Sequence, residues 1–253
     1  MNLKKTTSIL LIAVIIAFIG FIPESEACTR VVYKGPNNTI MTGRSMDFKT
    51  EIPANLWVFP KGMKRNGEVG KNSVEWVSKY GSVAVSSWDI ATSDGMNEKG
   101  LVANLLWLNE TKYPEFEKDG NKRGMSVSLW AQYALDNFAT VAEAVANLEK
   151  ESFVVASDVI PGTDKFVTVY LSLSDPTGDN AILEYINGQL NIHHDPSYTV
   201  VANDPTYSEQ LAIGKYWENI PGTIFLPGTV VSSDRYIRAK FYVNAIPQTD
   251  DTR

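Results

Sequence analysis

The stretch SEACTRVVY at residues 25–33 decides how this chain begins to fold and where its chemistry can lie. It joins small residues that follow an apolar run to a segment of β-branched and aromatic residues, which is typical of a β-strand. Cys28, the single cysteine among 253 residues, stands at the junction. The sequence therefore predicts a strand that starts beside the only thiol in the chain.

The residues before Cys28 have the three parts of an export signal. Residues 4 and 5 are lysines, residues 9–22 form an apolar run, and residues 25–27 (SEA) place small side chains at positions −3 and −1 of a cleavage site. We expect residues 1–27 to be a signal peptide and residues 28–253 to form one domain that is exported, either periplasmic or secreted. Because no later stretch is apolar over the roughly 20 residues that a membrane span needs, we expect no stable membrane insertion after cleavage.

Composition limits the partners of the chain. Its net charge is −6 at pH 7, and no block of lysine or arginine follows the signal. Nucleic acid and anionic membrane surfaces are therefore not expected as partners. A single cysteine also excludes an intrachain disulfide, so the thiol needs another explanation.

An N-terminal cysteine would carry both a nucleophile and its base. A free α-amine has a pKa of about 7.7–8.0, so it can accept the thiol proton near neutral pH. Such a site also needs a cation near sulfur, an acceptor for the α-ammonium and donors for an oxyanion. The segment TGRSMDF at residues 42–48 offers Arg44 and Asp47 for the first two tasks. The same two residues could equally be an exposed ion pair of little energetic weight.

Two other interpretations of Cys28 stay open at this point. In one, the chain is an exported binding module anchored through a lipidated Cys28, although Ser25 and Glu26 fit a lipoprotein signal badly. In the other, Cys28 works with His193 or His194 as a thiol hydrolase. Adjacent residues of a strand point to opposite faces, so the two histidines could not serve one site together.

The remaining pattern predicts runs of strands separated by a helical block, which indicates an α+β fold. We expect Asp94-Gly95 to mark a turn, Asn187-Gly188 to form a hairpin turn and Thr140 to cap a helix. Strands are predicted at residues 29–33, 39–42, 55–59, 73–77, 82–88, 101–108, 166–173, 181–186, 190–193 and 199–202. Helices are predicted at residues 126–137, 141–150, 208–219 and 232–243.

Several motifs in this order resemble the choloylglycine hydrolase family of N-terminal nucleophile hydrolases, which includes bile salt hydrolases and penicillin V acylases. The export signal makes the chain similar to the exported penicillin-acylase-like branch. The motifs are CTR at residues 28–30, GRSMD at 43–47, DGMNEKGL at 94–101, ANDP at 202–205, LPG at 226–228 and SDRY at 233–236.

The resemblance implies an amidase with a four-layer αββα fold that cleaves linear non-peptide amides through an acyl-thioester. It implies no metal or organic cofactor, a small-molecule amide as partner and a homo-oligomer, a tetramer in the family. Because family members usually continue beyond residue 253, it also implies a fold truncated at its C-terminal end. The implied catalytic residues are Cys28 as nucleophile, Arg44 beside the thiol, Asp47 holding the amine and thiol, Asn203 in the oxyanion hole and Arg235 as second arginine.

On the substrate side, we expect Met46 and Phe48 to line an acyl pocket, with Trp57 and Trp107 as further candidates for its wall. Ordinary core packing explains each of these side chains equally well. Asn104 is the nearest candidate for a family asparagine that follows the Gly-Leu of the third motif. The candidate substrates are conjugated bile salts, phenoxyacetyl penicillins and N-acyl homoserine lactones, among which the sequence does not choose.

Overall fold

The computed structural model describes residues 28–48 and 51–249, so the predicted signal peptide lies outside the described residues. The strands are β1 (Thr29–Lys34), β2 (Ile40–Ser45), β3 (Ala54–Phe59), β4 (Lys64–Asn66), β5 (Glu75–Val77), β6 (Ser82–Ser87), β7 (Ala91–Asn97), β8 (Val102–Trp107), β9 (Gly124–Ser126), β10 (Val154–Ala156), β11 (Val169–Ser174), β12 (Asn180–Ile186), β13 (Gln189–His194) and β14 (Val200–Ala202). The helices are α1 (Trp130–Asn137), α2 (Val141–Leu148), α3 (Tyr207–Glu218) and α4 (Ser232–Ala245).

Two antiparallel sheets form the centre of the molecule. The large sheet has the order β13-β12-β11-β8-β7-β6-β3, and the small sheet has the order β14-β1-β2. Two short two-stranded pairs, β4 with β5 and β9 with β10, lie outside them. In the small sheet, β1 is central and pairs with β2 on one side and β14 on the other.

Side chains alternate between the two faces of the large sheet and so build two cores. On one face, Leu105 and Leu171 pack with α1. On the other face, Leu106 and Tyr170 pack with residues of the small sheet and of α3 and α4. The order of layers is therefore helix, large sheet, small sheet, helix, which confirms the predicted α+β fold class.

The predicted turn at Asp94-Gly95 is wrong, because both residues lie inside β7. Gly95 is there because α1 crosses the strand closely: a Cβ at this position would lie 2.6 Å from Cδ1 of Leu135 and 2.9 Å from the carbonyl oxygen of Val83. A glycine that lets another element approach the backbone looks, in sequence, like a turn glycine. The strand assignment matters because it fixes where the Asp94 side chain points.

The helix predicted at residues 126–137 begins later than expected. Ser126 ends β9, Val127–Leu129 form a 3₁₀ turn, and α1 starts at Trp130. Two local predictions are confirmed: Oγ1 of Thr140 accepts from the backbone nitrogen of Glu143 at the start of α2, and Asn187-Gly188 form a turn with positive φ values of 51° and 79°. Every helix among the described residues is too short or too polar to span a bilayer.

Candidate active site

Cys28 lies immediately before β1 and is buried, with 6% of its surface exposed. The pairing of β1 with β14 places Thr29 opposite Ala202, so Asn203 follows directly beside the cysteine. The backbone nitrogen of Cys28 donates a 2.6 Å hydrogen bond to Oδ1 of Asn203. Sheet order therefore brings together two residues that are 175 positions apart in the chain.

Arg44 reaches the thiol from the other neighbour of β1. On β2 it stands opposite Arg30, and its Nη2 lies 3.2 Å from Sγ of Cys28. Nη1 donates to Oδ1 of Asp94 at 2.7 Å and to the carbonyl oxygen of Leu105 at 2.8 Å. Burial opposes the charge on the guanidinium, but attraction to Asp94 and Cys28 outweighs it and raises the pKa of Arg44. The cation that a reactive thiol needs is thus fixed beside the sulfur.

The carboxylate that contacts this arginine is Asp94, which the sequence did not predict as a site residue. Asp47, which was expected to hold the amine and thiol, is exposed and forms none of the hydrogen bonds or ion pairs found within residues 28–48 and 51–249. Asp94 belongs to the DGMNEKGL motif, but the Asp-Gly pair has the composition of a turn and so predicts a turn instead of a strand. Its place inside β7, facing the small sheet, gives it access to Arg44.

Asn203 and Arg235 close the site on the side of α4. Arg235 donates from Nη2 to Oδ1 of Asn203 at 2.9 Å and from Nη1 to the carbonyl oxygen of Cys28. Burial lowers the pKa of Arg235. The amide nitrogen of Asn203 donates to the carbonyl oxygen of Trp107 at 2.9 Å, and this nitrogen carries a second N–H. The oxygen end of Asn203 therefore faces the Cys28 nitrogen, while the donor end lies toward β8.

An aromatic cluster lies where β2 and β8 end. The ring of Phe48 is 6.3 Å from that of Trp107 and 6.2 Å from that of Trp88, both in edge-on geometry. Met46, between Arg44 and this cluster in sequence, is exposed by 37%. The structure thus brings Phe48 and Trp107 together as expected for an apolar wall. It adds Trp88, which no sequence pattern had connected with them.

Asn104 does not lie on this wall. It is 4% exposed and sits in β8, where Oδ1 accepts from Nε of Arg30 at 2.8 Å and Nδ2 donates to Oδ1 of Asp94 at 2.7 Å. Both ends of the amide are engaged inside the protein. The expectation that Asn104 contacts substrate is therefore corrected: the residue lies behind Asp94 and Arg44, between the two sheets.

The two histidines lie on β13 and are each held by a carboxylate. Nε2 of His193 is 3.2 Å from Oε2 of Glu184, and Nε2 of His194 is 2.8 Å from Oδ2 of Asp179. Among the contacts that Cys28 makes with described residues, none is to either histidine. The geometry therefore gives no support to a Cys–His pair.

The class of protein follows from the fold and this site. A buried thiol lies at the start of a strand between two packed sheets, with Arg44 beside its sulfur and Asn203 beside its backbone nitrogen. The chain belongs to the linear amide C–N hydrolases of the choloylglycine hydrolase family, which match residues 28–253. This confirms the resemblance inferred from the motifs.

Individual relatives narrow the comparison. The chain is 48% identical over 229 residues to a penicillin V acylase of Pectobacterium atrosepticum, covering 88% of this chain and 61% of that protein. It is 26% identical over 251 residues to a bile salt hydrolase/transferase of Clostridium perfringens, covering 88% and 74%. The solved structure of penicillin V acylase from Agrobacterium tumefaciens superposes with a TM-score of 0.81 at 54% identity, covering 88% of this chain and 67% of that one.

Proposed function

We propose that this protein is an amidase that cleaves a linear amide through an acyl-thioester on Cys28, with penicillin V as the representative substrate. The observation that carries the proposal is the pair of contacts on one residue. Asn203 lies 2.6 Å from the Cys28 backbone nitrogen, and Arg44 lies 3.2 Å from its sulfur. Nucleophile and base are thus held separately, as a cysteine whose own α-amine is the base requires.

In the acylation step, signal cleavage after Ala27 has left Cys28 with a free α-amine. The amine takes the proton from Sγ, and the positive charge of Arg44 stabilises the thiolate. The thiolate attacks the amide carbonyl, and the second N–H of Asn203 donates to the developing oxyanion. The α-ammonium, held by Oδ1 of Asn203, then gives its proton to the leaving nitrogen. The C–N bond breaks, the amine product departs and an S–C bond remains.

Deacylation uses the same groups in reverse. The α-amine accepts a proton from water, and the resulting hydroxide attacks the thioester carbonyl. The S–C bond breaks, the carboxylic acid leaves, and the α-ammonium returns its proton to the thiolate of Cys28. One amide and one water are converted to one amine and one acid, with the enzyme restored.

The choice of acyl group is supported by the aromatic cluster of Phe48, Trp88 and Trp107. Edge-on aromatic neighbours provide a surface on which another aryl ring can pack. A phenoxyacetyl group fits that chemistry better than a steroid or a flexible alkyl chain. The relatives at 48% and 54% identity carry the name penicillin V acylase, which supports the same choice.

Export is part of the proposal, since only cleavage after Ala27 frees the amine. The lipid-anchor alternative has no such support. A lipid attached to Sγ of Cys28 would have to extend outward from a sulfur that is buried and in contact with Arg44.

A substrate panel with three enzyme forms tests the function. The wild-type protein should release 6-aminopenicillanic acid from penicillin V faster than it hydrolyses a conjugated bile salt or an N-acyl homoserine lactone. The C28S variant, and a form that retains one alanine before Cys28, should both be nearly inactive. Ser126→Ala removes a buried hydroxyl in β9, and it serves as the control for the effect of a buried substitution away from Cys28. Full activity of the form with the extra alanine would overturn the proposal, since its Cys28 has no free amine.

A further inference from the structure

Two cross-strand pairs face each other between the sheets behind the thiol. In the small sheet, Arg30 on β1 stands opposite Arg44 on β2. In the large sheet, Asp94 on β7 stands opposite Asn104 on β8. Two hydrogen bonds join the pairs: Nε of Arg30 donates to Oδ1 of Asn104 at 2.8 Å, and Nη1 of Arg44 donates to Oδ1 of Asp94 at 2.7 Å. Within the second pair, Nδ2 of Asn104 donates to Oδ1 of Asp94 at 2.7 Å. We call these four residues the buried ring.

The arginine pair is unfavourable by itself. Like charges directly opposite each other on neighbouring strands repel, and Arg30 is fully buried. Burial lowers the pKa of Arg30 to about 10, and the charge of Arg44 acts in the same direction. Within the described residues, Nε is the atom of this guanidinium that has a hydrogen-bond acceptor, and that acceptor is Asn104. The buried guanidinium of Arg30 thus donates its hydrogen bond to the side-chain amide of Asn104.

That contact determines which end of the amide faces Asp94. The two ends of an asparagine side chain have the same shape, but one is an acceptor and the other a donor. Arg30 can only donate, so it selects the oxygen end of Asn104 and leaves the nitrogen end for Asp94. If the amide of Asn104 were reversed, its oxygen would face the Asp94 carboxylate and repel it. The atom repelled would be Oδ1 of Asp94, which also accepts from Nη1 of Arg44.

We propose that Arg30 and Asn104 are positioning residues that act on the sulfur of Cys28 through Asp94 and Arg44. This inference rests on the proposed function, because it assigns a role in preparing the same thiol. Arg30 sets the orientation of Asn104, and Asn104 in turn fixes the carboxylate of Asp94. That carboxylate holds Arg44 so that its Nη2 lies against Sγ of Cys28. The ring carries two positive charges and one negative charge, so a thiolate at Cys28 balances its net charge. Outside the ring, Arg235 and the hydroxyl of Tyr170 also interact electrostatically with Cys28.

The single cysteine allows a direct test that needs no substrate. The protein is expressed with its signal peptide and purified, and the rate of its alkylation by iodoacetamide is measured as a function of pH. Because Cys28 is the single cysteine, this rate reports on its thiol. N104L removes both amide contacts without changing a formal charge, and R30M removes the donor that orients the amide. For each variant, we expect the alkylation rate at pH 7 to fall about tenfold, the scale of one lost charge-assisted hydrogen bond. The midpoint of the pH profile should move upward.

N104D separates positioning from simple packing. The introduced carboxyl keeps an acceptor for Arg30, and when protonated it can also donate to Asp94. We therefore expect an alkylation rate close to that of the wild type at acidic pH, and a loss relative to the wild type as the introduced carboxyl ionises. A structural role alone would not produce a loss that follows this ionisation.

Gln132→Leu is the matched control, because Gln132 is also a fully buried amide that bonds to a carboxylate, that of Asp136. It should lower stability to urea and leave the alkylation profile unchanged. The inference is overturned if N104L gives the wild-type profile, or if Q132L shifts the profile as much as N104L does. If R30M fails to fold, N104L and N104D still decide the question. If the wild type hydrolyses no amide while N104L shifts the profile, the proposed function fails and the buried ring stands.

Discussion

Nδ2 of Asn203 lies 2.9 Å from the carbonyl oxygen of Trp107, a contact that joins the residue after β14 to the end of β8. The contact crosses from the small sheet, which contains β14, to the large sheet, which contains β8. Asn203 also accepts from the nitrogen of Cys28. One side chain thereby sets the distance between the nucleophile and the wall on which the acyl group is proposed to pack.

Replacement of Asn203 by alanine should reduce kcat for penicillin V by about 100-fold, the effect of losing one oxyanion donor. The alanine also leaves the Cys28 nitrogen without its acceptor. Steady-state kinetics of N203A measure this, with N191A as the control, since Asn191 is an exposed amide on β13 that bonds only to a nearby carbonyl among described residues. A kcat equal to that of the wild type would remove Asn203 from the mechanism.

Trp88 should contribute to acyl specificity. W88A removes one of the two edge-on partners of Phe48, so we expect KM for penicillin V to rise about tenfold, with a smaller change for an aliphatic amide. The W57A variant is the control, because Trp57 stacks on Phe59 and bonds to Asp89 instead. Equal changes in KM for aryl and aliphatic substrates would contradict the aryl pocket.

Gly95 should not tolerate a side chain. An alanine Cβ would approach Leu135 to 2.6 Å, so G95A should lower the free energy of unfolding by about 1–3 kcal/mol. Urea denaturation measures the loss. G222A is the matched control, since nothing lies within 4 Å of a Cβ at Gly222. If both variants were equally stable, α1 would not pack on β7 as closely as described.

Asp136 should give the protein a pH-dependent component of stability. Burial raises its pKa above 3.8, although hydrogen bonds from Trp76 and Gln132 and the charge of Arg65 act against burial. The folded protein therefore holds this proton more tightly than the unfolded chain does. The resulting stabilisation is fully present below pH 3.8 and is lost as pH rises through the folded pKa.

Urea unfolding of the wild type and of D136N over a pH series isolates this component. The difference in unfolding free energy, wild type minus D136N, should decrease with rising pH in that window. A difference that increases would mean that Arg65 dominates over burial and that the sign is reversed.

The sequence predicted those parts of the fold and site that local patterns determine. The β1–β2 hairpin placed Arg44 near Cys28, and the motifs singled out Asn203 and Arg235, which the structure brings to the cysteine. The motifs could identify these residues without saying which atoms meet. That requires the pairing of β1 with β14, a relationship between residues about 170 positions apart that no local pattern encodes.

The errors at Asp94 and Asn104 have one physical origin. Asp94 was missed and Asn104 was misplaced because both depend on how the large sheet faces the small one. Asp-Gly has the composition of a turn, yet close packing of α1 on Gly95 keeps it in a strand. The side chains of Asp94 and Asn104 then point at the arginines of the small sheet. Tertiary packing outweighed local preference in the region behind Cys28.

The most direct test of the central claim is the mass of the N-terminal peptide after acid quenching of the protein during turnover of penicillin V. The account predicts a peptide that begins at Cys28, with a free α-amine and a phenoxyacetyl group on sulfur. A different first residue, a blocked amine, or acylation at another side chain while Cys28 stays unmodified would contradict it.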